Sequence, residues 1–256
     1  MKNTMIYFDV DGTLRTNDTH LVPSSSLKAL QQLKKNGYKI GIATGRSLSS
    51  LKKTGVMDIM DWDSYICNNG QLILNDKQEI LEEHFIDSTI VHQCIAIAKE
   101  HNLPLVLKMK KRIITQEPNT HVIESSRFFN NEIPPVGTYH DEPVEAMIAY
   151  GPKGYDYLPF TQLEELYIMP GESTYCDITI KGLSKASAIL KELKRLNKRE
   201  YIAFGDSLND EEMFKYATTS IAMGQGNQHL KEMASFVTKN IDDDGIYYAC
   251  TSLKYI

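Results

Sequence analysis

Residues 4–14 read Thr4-Met5-Ile6-Tyr7-Phe8-Asp9-Val10-Asp11-Gly12-Thr13-Leu14. The apolar run Met5–Phe8 stops at two aspartates spaced i, i+2, and Gly12 and Thr13 follow at once. A short apolar run bounded by turn residues predicts a buried strand. Carboxylates just beyond such a strand stand where open α/β sheets hold their ligands, outside the carboxyl ends of the strands. Two like charges this close are costly unless a cation or a shared proton relieves them. The segment therefore predicts a metal site or acid–base chemistry. Asp11-Gly12 alone also reads as a turn that caps the next element. The full Asp-x-Asp-Gly-Thr pattern behind a strand is much rarer than that dipeptide.

Outward from this segment, strands and helices alternate. Ser24-Ser25-Ser26 offers N-cap hydroxyls to a helix carrying Leu27, Leu30 and Leu33 on one face, and Gly37 supplies its stop. Tyr38–Ala43 is the next strand and ends in Thr44-Gly45-Arg46, after which Ser47 caps a helix through Thr54. Tyr65–Cys67 is a third strand, ending in Asn68-Asn69-Gly70. Leu72–Leu74 and Ile80–Phe85 flank a hairpin turn at Asn75-Asp76-Lys77. The pattern then changes. A helix over Thr89–His101, a hairpin of Leu105–Leu107 and Ile113–Thr115, and a helix over Asn119–Phe129 come first. Strands at Ala146–Tyr150, Leu166–Met169 and Tyr175–Ile180 follow, with a short helix near Thr161–Glu165. From Ser184 the alternation returns: a helix to Leu196, a strand Tyr201–Phe204 ending in Gly205-Asp206, a helix through Tyr216, and a strand Ser220–Ala222. A helix Gln228–Ala234, a strand Phe236–Thr238 and a terminal helix from Gly245 complete it. This order predicts an α/β fold, a doubly wound, Rossmann-like parallel-sheet core formed by 1–83 and 181–256, interrupted by an inserted α+β cap at 84–180.

Composition narrows the function. The chain has 256 residues, 42% of them apolar, and a formal net charge of −5, which argues against a nucleic-acid surface. No apolar stretch approaches the roughly 20 residues that span a bilayer, and the start carries no signal-peptide pattern. Cys67, Cys94, Cys176 and Cys250 are scattered without a Cys-x-x-Cys pair, so reduced, buried thiols in a cytoplasmic protein are expected. The seven histidines lack metal-ligand spacing. Gly224-Gln225-Gly226 falls short of a dinucleotide motif, and Lys108–Arg112 reads as the solvated tip of a hairpin.

Three strands thus end in polar clusters, at Asp9-Val10-Asp11, Thr44-Gly45 and Gly205-Asp206, and parallel strands can bring such ends to one edge. Lys185 adds a fourth element. A cation in the first turn of a helix opposes the helix dipole, which favours a functional lysine there over a solvated one.

Taken together, Asp9-Val10-Asp11-Gly12-Thr13, Thr44-Gly45-Arg46, Lys185 and Gly205-Asp206-x-x-Asn209-Asp210 resemble the four ordered motifs of the haloacid dehalogenase superfamily. Asn68-Asn69-Gly70, Lys181-Gly182-x-Ser184-Lys185, Ala222-Met223-Gly224 and Asp244-Gly245 resemble its Cof-type phosphatases with a large α/β (type IIB) cap. Asn68 stands where those phosphatases more often have Ser, and Ala186 where they often have Gly; neither change removes a charge. The resemblance implies a Mg²⁺-dependent phosphatase acting on a small phosphorylated metabolite, a sugar phosphate or a cofactor or nucleotide phosphate, through an aspartyl-phosphate. It implies Asp9 as nucleophile and Asp11 as general acid/base. The metal ligands would be Asp9, the Asp11 backbone carbonyl and Asp206. Thr44, Gly45, Lys185 and Asn209 would hold the phosphoryl group, Asp210 would support the metal, and Arg46 would orient loops or touch substrate. Glu172 and Tyr175 are candidate selectors of substrate in the cap. No nucleic-acid or membrane partner is expected. The alternatives are a sugar phosphomutase of the same superfamily, against which Thr44-Gly45-Arg46 argues, and a non-catalytic phosphate-binding regulatory module, against which the intact motifs argue. A dehalogenase would not need the acid/base that Asp11 supplies.

Overall fold

The computed structural model describes residues 3–129, 131–171 and 173–256. The chain forms two compact units. One comprises Met1–Glu83 with Leu183–Ile256, the other His84–Gly182. In chain order the first segment carries β1 (Thr4–Phe8), α1 (Ser24–Lys35), β2 (Lys39–Ala43), α2 (Leu48–Lys53), β3 (Ser64–Cys67), β4 (Leu72–Asn75) and β5 (Ile80–Glu83). The inserted unit carries α3 (Ser88–Glu100), β6 (Leu105–Lys108), β7 (Ile113–Ile114), α4 (Thr120–Phe128), β8 (Ala146–Tyr150), β9 (Leu166–Pro170) and β10 (Tyr175–Ile180). The returning segment carries α5 (Lys185–Arg195), β11 (Glu200–Gly205), α6 (Glu211–Tyr216), β12 (Thr219–Ala222), α7 (Gln228–Met233), β13 (Phe236–Val237) and α8 (Gly245–Ser252).

The first unit is built on one sheet in the order β13-β12-β11-β1-β2-β3-β4-β5. Its strands are parallel from β13 to β3, and the β4–β5 hairpin adds an antiparallel edge. The central strands are apolar on both faces because helices cover both. Ile6 and Phe8 join Ala29, Leu30 and Leu33 of α1 and Ile246, Ala249 and Cys250 of α8. Met5 and Tyr7 join Ala188, Ile189 and Leu193 of α5 and Met213 and Phe214 of α6. The period-two alternation of a strand is thus what splits the core into two layers.

The inserted unit has its own antiparallel sheet, β7-β6-β8-β10-β9. One face packs on α3 through Val91, Cys94 and Ala98, while Val106, Ile114 and Tyr150 pack on Val122 of α4.

Three local expectations are corrected. The Ser24–Ser26 hydroxyls do not cap α1. Pro23 stands at the N-cap, so the serines already lie inside the helix, with the Ser25 and Ser26 hydroxyls buried and unpartnered. The short helix near Thr161–Glu165 is a 3₁₀ turn over Leu158–Gln162, set early because Pro159, which has no N–H to satisfy, is tolerated in a first helical turn. Lys108 is not a solvated tip. The strand period puts it on the same face as Asp177, and its buried Nζ lies 3.1 Å from Asp177 Oδ1.

Candidate active site

The parallel register assembles the site. Phe8 pairs with Phe204 on one side and Ile42 on the other, so β1, β11 and β2 end side by side. Asp9 N–H donates to Phe204 O at 3.0 Å and carries the ladder one residue past the strand. Asp9, Asp206 and Asp210 can each present a carboxylate oxygen so that all three lie within 4.8 Å of one another. Lys185 Nζ donates to Asp9 Oδ1 at 2.6 Å and to Asp210 Oδ1 at 2.7 Å, and its side chain is 1% exposed. The solvated reading of this lysine is therefore excluded. Ser184 N-caps α5, accepting from Ser187 N–H at 3.1 Å while Ser187 Oγ accepts from Ser184 N–H at 2.9 Å. That reciprocal cap fixes the turn that carries Lys185.

Asp210 Oδ2 accepts from the N–H groups of Asp206 (3.0 Å) and Ser207 (3.2 Å), so Asp210 organises the loop that presents Asp206. Thr13 Oγ1 donates to Asp206 Oδ1 at 3.2 Å. Gly12 makes this approach possible: its φ is +82°, and a Cβ there would lie 2.2 Å from Asp206 Oδ2.

The charges do not balance. Burial, and then the negative charges of Asp9 and Asp210, hold the Asp206 carboxyl well above the ordinary range. Burial pushes Asp9 up to about 7 even though Lys185 pulls the other way. Burial alone would lower the Lys185 ammonium, but Asp210 and Asp9 outweigh it and hold it above its ordinary value. One ammonium, bonded to two of the three clustered carboxyl groups, is too little positive charge to keep all three ionised on their own. That is the environment a hard divalent cation fits.

Around this centre, Asp11 is gripped by two arginines. Arg46 donates from Nε to Asp11 Oδ2 at 2.5 Å and from Nη2 to Oδ1 at 2.8 Å, and Arg15 Nη1 donates to Oδ1 at 3.0 Å. Thr44 is buried and its Oγ1 accepts from Arg46 N–H at 3.1 Å. Asn209 Nδ2 donates to Asn69 Oδ1 at 3.3 Å, and a Cβ on Gly45 would sit 3.1 Å from that oxygen and 3.4 Å from that nitrogen. The loops after β2, β3 and β11 therefore meet. Gln225 braces the site by donating from Nε2 to Gly12 O at 2.5 Å and accepting from Ile241 N–H at 2.9 Å.

The core candidates Asp9, Asp11, Thr44, Gly45, Arg46, Lys185, Asp206, Asn209 and Asp210 thus lie in one unit, at one sheet edge and the loops around it. Arg15 joins them from outside any motif the sequence offered, Asn69 from the Asn68-Asn69-Gly70 motif without a role of its own, and Gln225 from the discounted Gly224-Gln225-Gly226. Arg15 had a faint signal, four residues from Asp11 across a turn. For Gln225 the flanking glycines gave no sign of this bracing role, because its partner Gly12 is 213 residues away. In the inserted unit the Tyr175 ring packs edge-on to Phe129, 5.2 Å between centroids, beside the Val106–Val122 cluster. Glu172 lies outside the described residues.

A family model described as haloacid dehalogenase-like hydrolase matches residues 6–250. The chain belongs to this family, and it is a phosphatase of its Cof type with a subclass IIB architecture. It is 30% identical over 258 residues to a Bacillus subtilis protein named "Putative phosphatase YkrA", covering 99% of this chain and 98% of that one. It is 26% identical to the pyridoxal phosphate phosphatase YbhA of Escherichia coli, over 96% of this chain and 97% of that one. Among solved structures it matches the HAD subclass IIB sugar phosphatase BT4131 with a TM-score of 0.87 and 27% identity, covering 99% of this chain and 100% of that one. It matches the phosphatase BT1666 of Bacteroides thetaiotaomicron with a TM-score of 0.90 and 25% identity, over 99% and 96%.

Proposed function

We propose that the protein is a Mg²⁺-dependent phosphomonoesterase for a small phosphorylated metabolite, a sugar phosphate or a cofactor or nucleotide phosphate, working through an aspartyl-phosphate on Asp9. The observation that carries this reading is the clustered group Asp9–Asp206–Asp210, in which one buried lysine bonds Asp9 and Asp210 and leaves Asp206 without a cation of its own among the described residues. Asp9, Asp206 and the Asp11 carbonyl would hold the ion, with Asp210 supporting them. Once bound, it would neutralise charge on the carboxylates and the phosphoryl oxygens. Asp9 attacks phosphorus and displaces the alkoxide, which splits one difficult displacement into two easier ones. Asp11 gives a proton to the leaving oxygen and later takes one from the attacking water. Lys185, Thr44, Gly45 and Asn209 hold the phosphoryl oxygens, and such positioning is most of what phosphoryl transfer requires. Selectivity among esters belongs to the inserted unit, since the residues named above recognise only phosphate and metal. Glu172 and Tyr175 are the positions we nominate there.

The test is a panel of phosphorylated metabolites with and without Mg²⁺. We expect turnover to require the ion and Asp9→Asn to abolish it in a folded protein, because an amide does not attack phosphorus. Full turnover by folded Asp9→Asn would rule out the covalent route. Mg²⁺ should also raise the melting point of the wild type, by the equivalent of about 2.7 kcal/mol at one hundred times Kd. Asp206→Asn should lose that shift. Glu172→Ala and Tyr175→Ala should reorder the panel; an unchanged order for both would remove them as selectors.

A further inference from the structure

Among the described residues, Asp11 receives three side-chain N–H donors, and they are shared unequally. Arg46 supplies one to each oxygen, as a planar fork does. Arg15 then adds its Nη1 to Oδ1 alone. Oδ1 thus has two donors and Oδ2 has one. A carboxylate oxygen offers two lone-pair directions, so Oδ1 is filled and Oδ2 keeps one open.

Arg15 is not a mobile surface residue. Its Nε donates to His20 O at 3.0 Å, its backbone N–H donates to Val10 O at 2.9 Å, and its carbonyl accepts from Gly12 N–H at 2.8 Å. Its side chain is 12% exposed, and the flanking Leu14 and Thr16 are buried. The rigid guanidinium therefore faces two fixed acceptors at once, Asp11 and His20 O, which a point-charge lysine cannot reproduce in the same geometry.

We infer that Arg15 is a positioning residue for Asp11: bonded to Oδ1 and anchored on His20 O, it fixes the orientation of the carboxylate and leaves Oδ2 the less occupied oxygen. This rests on the acid/base role proposed for Asp11. As the Asp9–phosphorus bond forms and the bond from phosphorus to the leaving oxygen breaks, Asp11 held in that orientation gives its proton to that oxygen, and in the second step it takes one from the water that attacks the phosphoryl group.

The experiment compares two probes, n-propyl phosphate, whose alkoxide needs protonation, and p-nitrophenyl phosphate, whose phenolate leaves with little help. Arg15→Leu should lower kcat about tenfold on the alkyl ester, the scale of a modest misplacement. It should change kcat less than about threefold on the aryl ester. KM should stay within about twofold for both. Arg15→Lys should recover part of the alkyl rate. In an Asp11→Asn background Arg15→Leu should have no further effect. If the leucine variant does not fold, Arg15→Gln provides the same comparison. An equal fall on both probes, or no fall on either, would overturn the inference. If Asp11→Asn itself shows no preference between probes, the acid/base reading falls as well. If Asp11→Asn discriminates and the Arg15 variants do not, only Arg15 is mistaken.

Discussion

A fully buried lysine bonded to two carboxylates would be a weak investment in stability, since desolvation consumes much of the ionic attraction. Its removal is another matter, because Asp9 and Asp210 would then stay buried beside Asp206 without a cation. Lys185→Ala should cost about 3–5 kcal/mol in urea unfolding. In the proposed mechanism it should also lower kcat by about 10²–10³, the scale for one preorganised charge-stabilising donor. Kinetics at saturating substrate separate the two effects: a kcat within about threefold of wild type would leave Lys185 a structural counter-ion only.

At the scale of elements, the start of α5 is the joint that sets Lys185. The Ser184–Ser187 box closes its first turn, and Gly70, at the end of the loop after β3, lies against it. Gly70 has a φ of +99°, and a Cβ there would lie 2.1 Å from Ser184 O. Ser184→Ala should therefore cost about 0.5–2 kcal/mol, as loss of an N-cap does. Gly70→Ala should cost more. The backbone conformation alone is worth about 1–3 kcal/mol, and the clash is with backbone, which has no rotamer to escape into. Urea melts of both variants give the order; Gly70→Ala milder than Ser184→Ala would contradict the close packing of this loop on α5.

For the molecule as a whole, the four cysteines are natural reporters. All are buried and outside any disulfide, Cys67 and Cys250 in the core of the first unit, Cys94 and Cys176 in that of the second. Burial pushes the Cys94 and Cys250 thiols up to about 12. A raised pKa favours the neutral thiol, so at pH 8 the reactive thiolate is a fraction of about 10⁻⁴ for these two even before access is considered. Ellman's reagent at pH 8 should find no reactive thiol in the native protein and four in denaturant. At intermediate urea, labelling should appear in pairs, Cys67 with Cys250 and Cys94 with Cys176. Reaction of one member of a pair without the other would show that its unit does not open cooperatively.

Much of this was legible in the chain. Apolar runs that stop at Asp9, Thr44 and Asp206 mark strands and their ends, because a buried parallel strand needs side chains that are apolar on both faces. A lysine against the helix dipole already pointed to Lys185. Local chemistry sufficed there, since each signal lies within a few residues. It misled where tertiary packing overrode it: Lys108 sits in a cluster of basic residues, yet strand pleating turns it inward to Asp177. The clamp of Arg15 and Arg46 on Asp11, the Asn69–Asn209 contact and the Gln225 brace were decided by the fold. A hydrogen bond between residues 140 or 213 positions apart depends on where two loops are delivered by the sheet. The unequal load on the two Asp11 oxygens likewise exists only in three dimensions, because direction at an acceptor atom is set by geometry, which residue order does not encode.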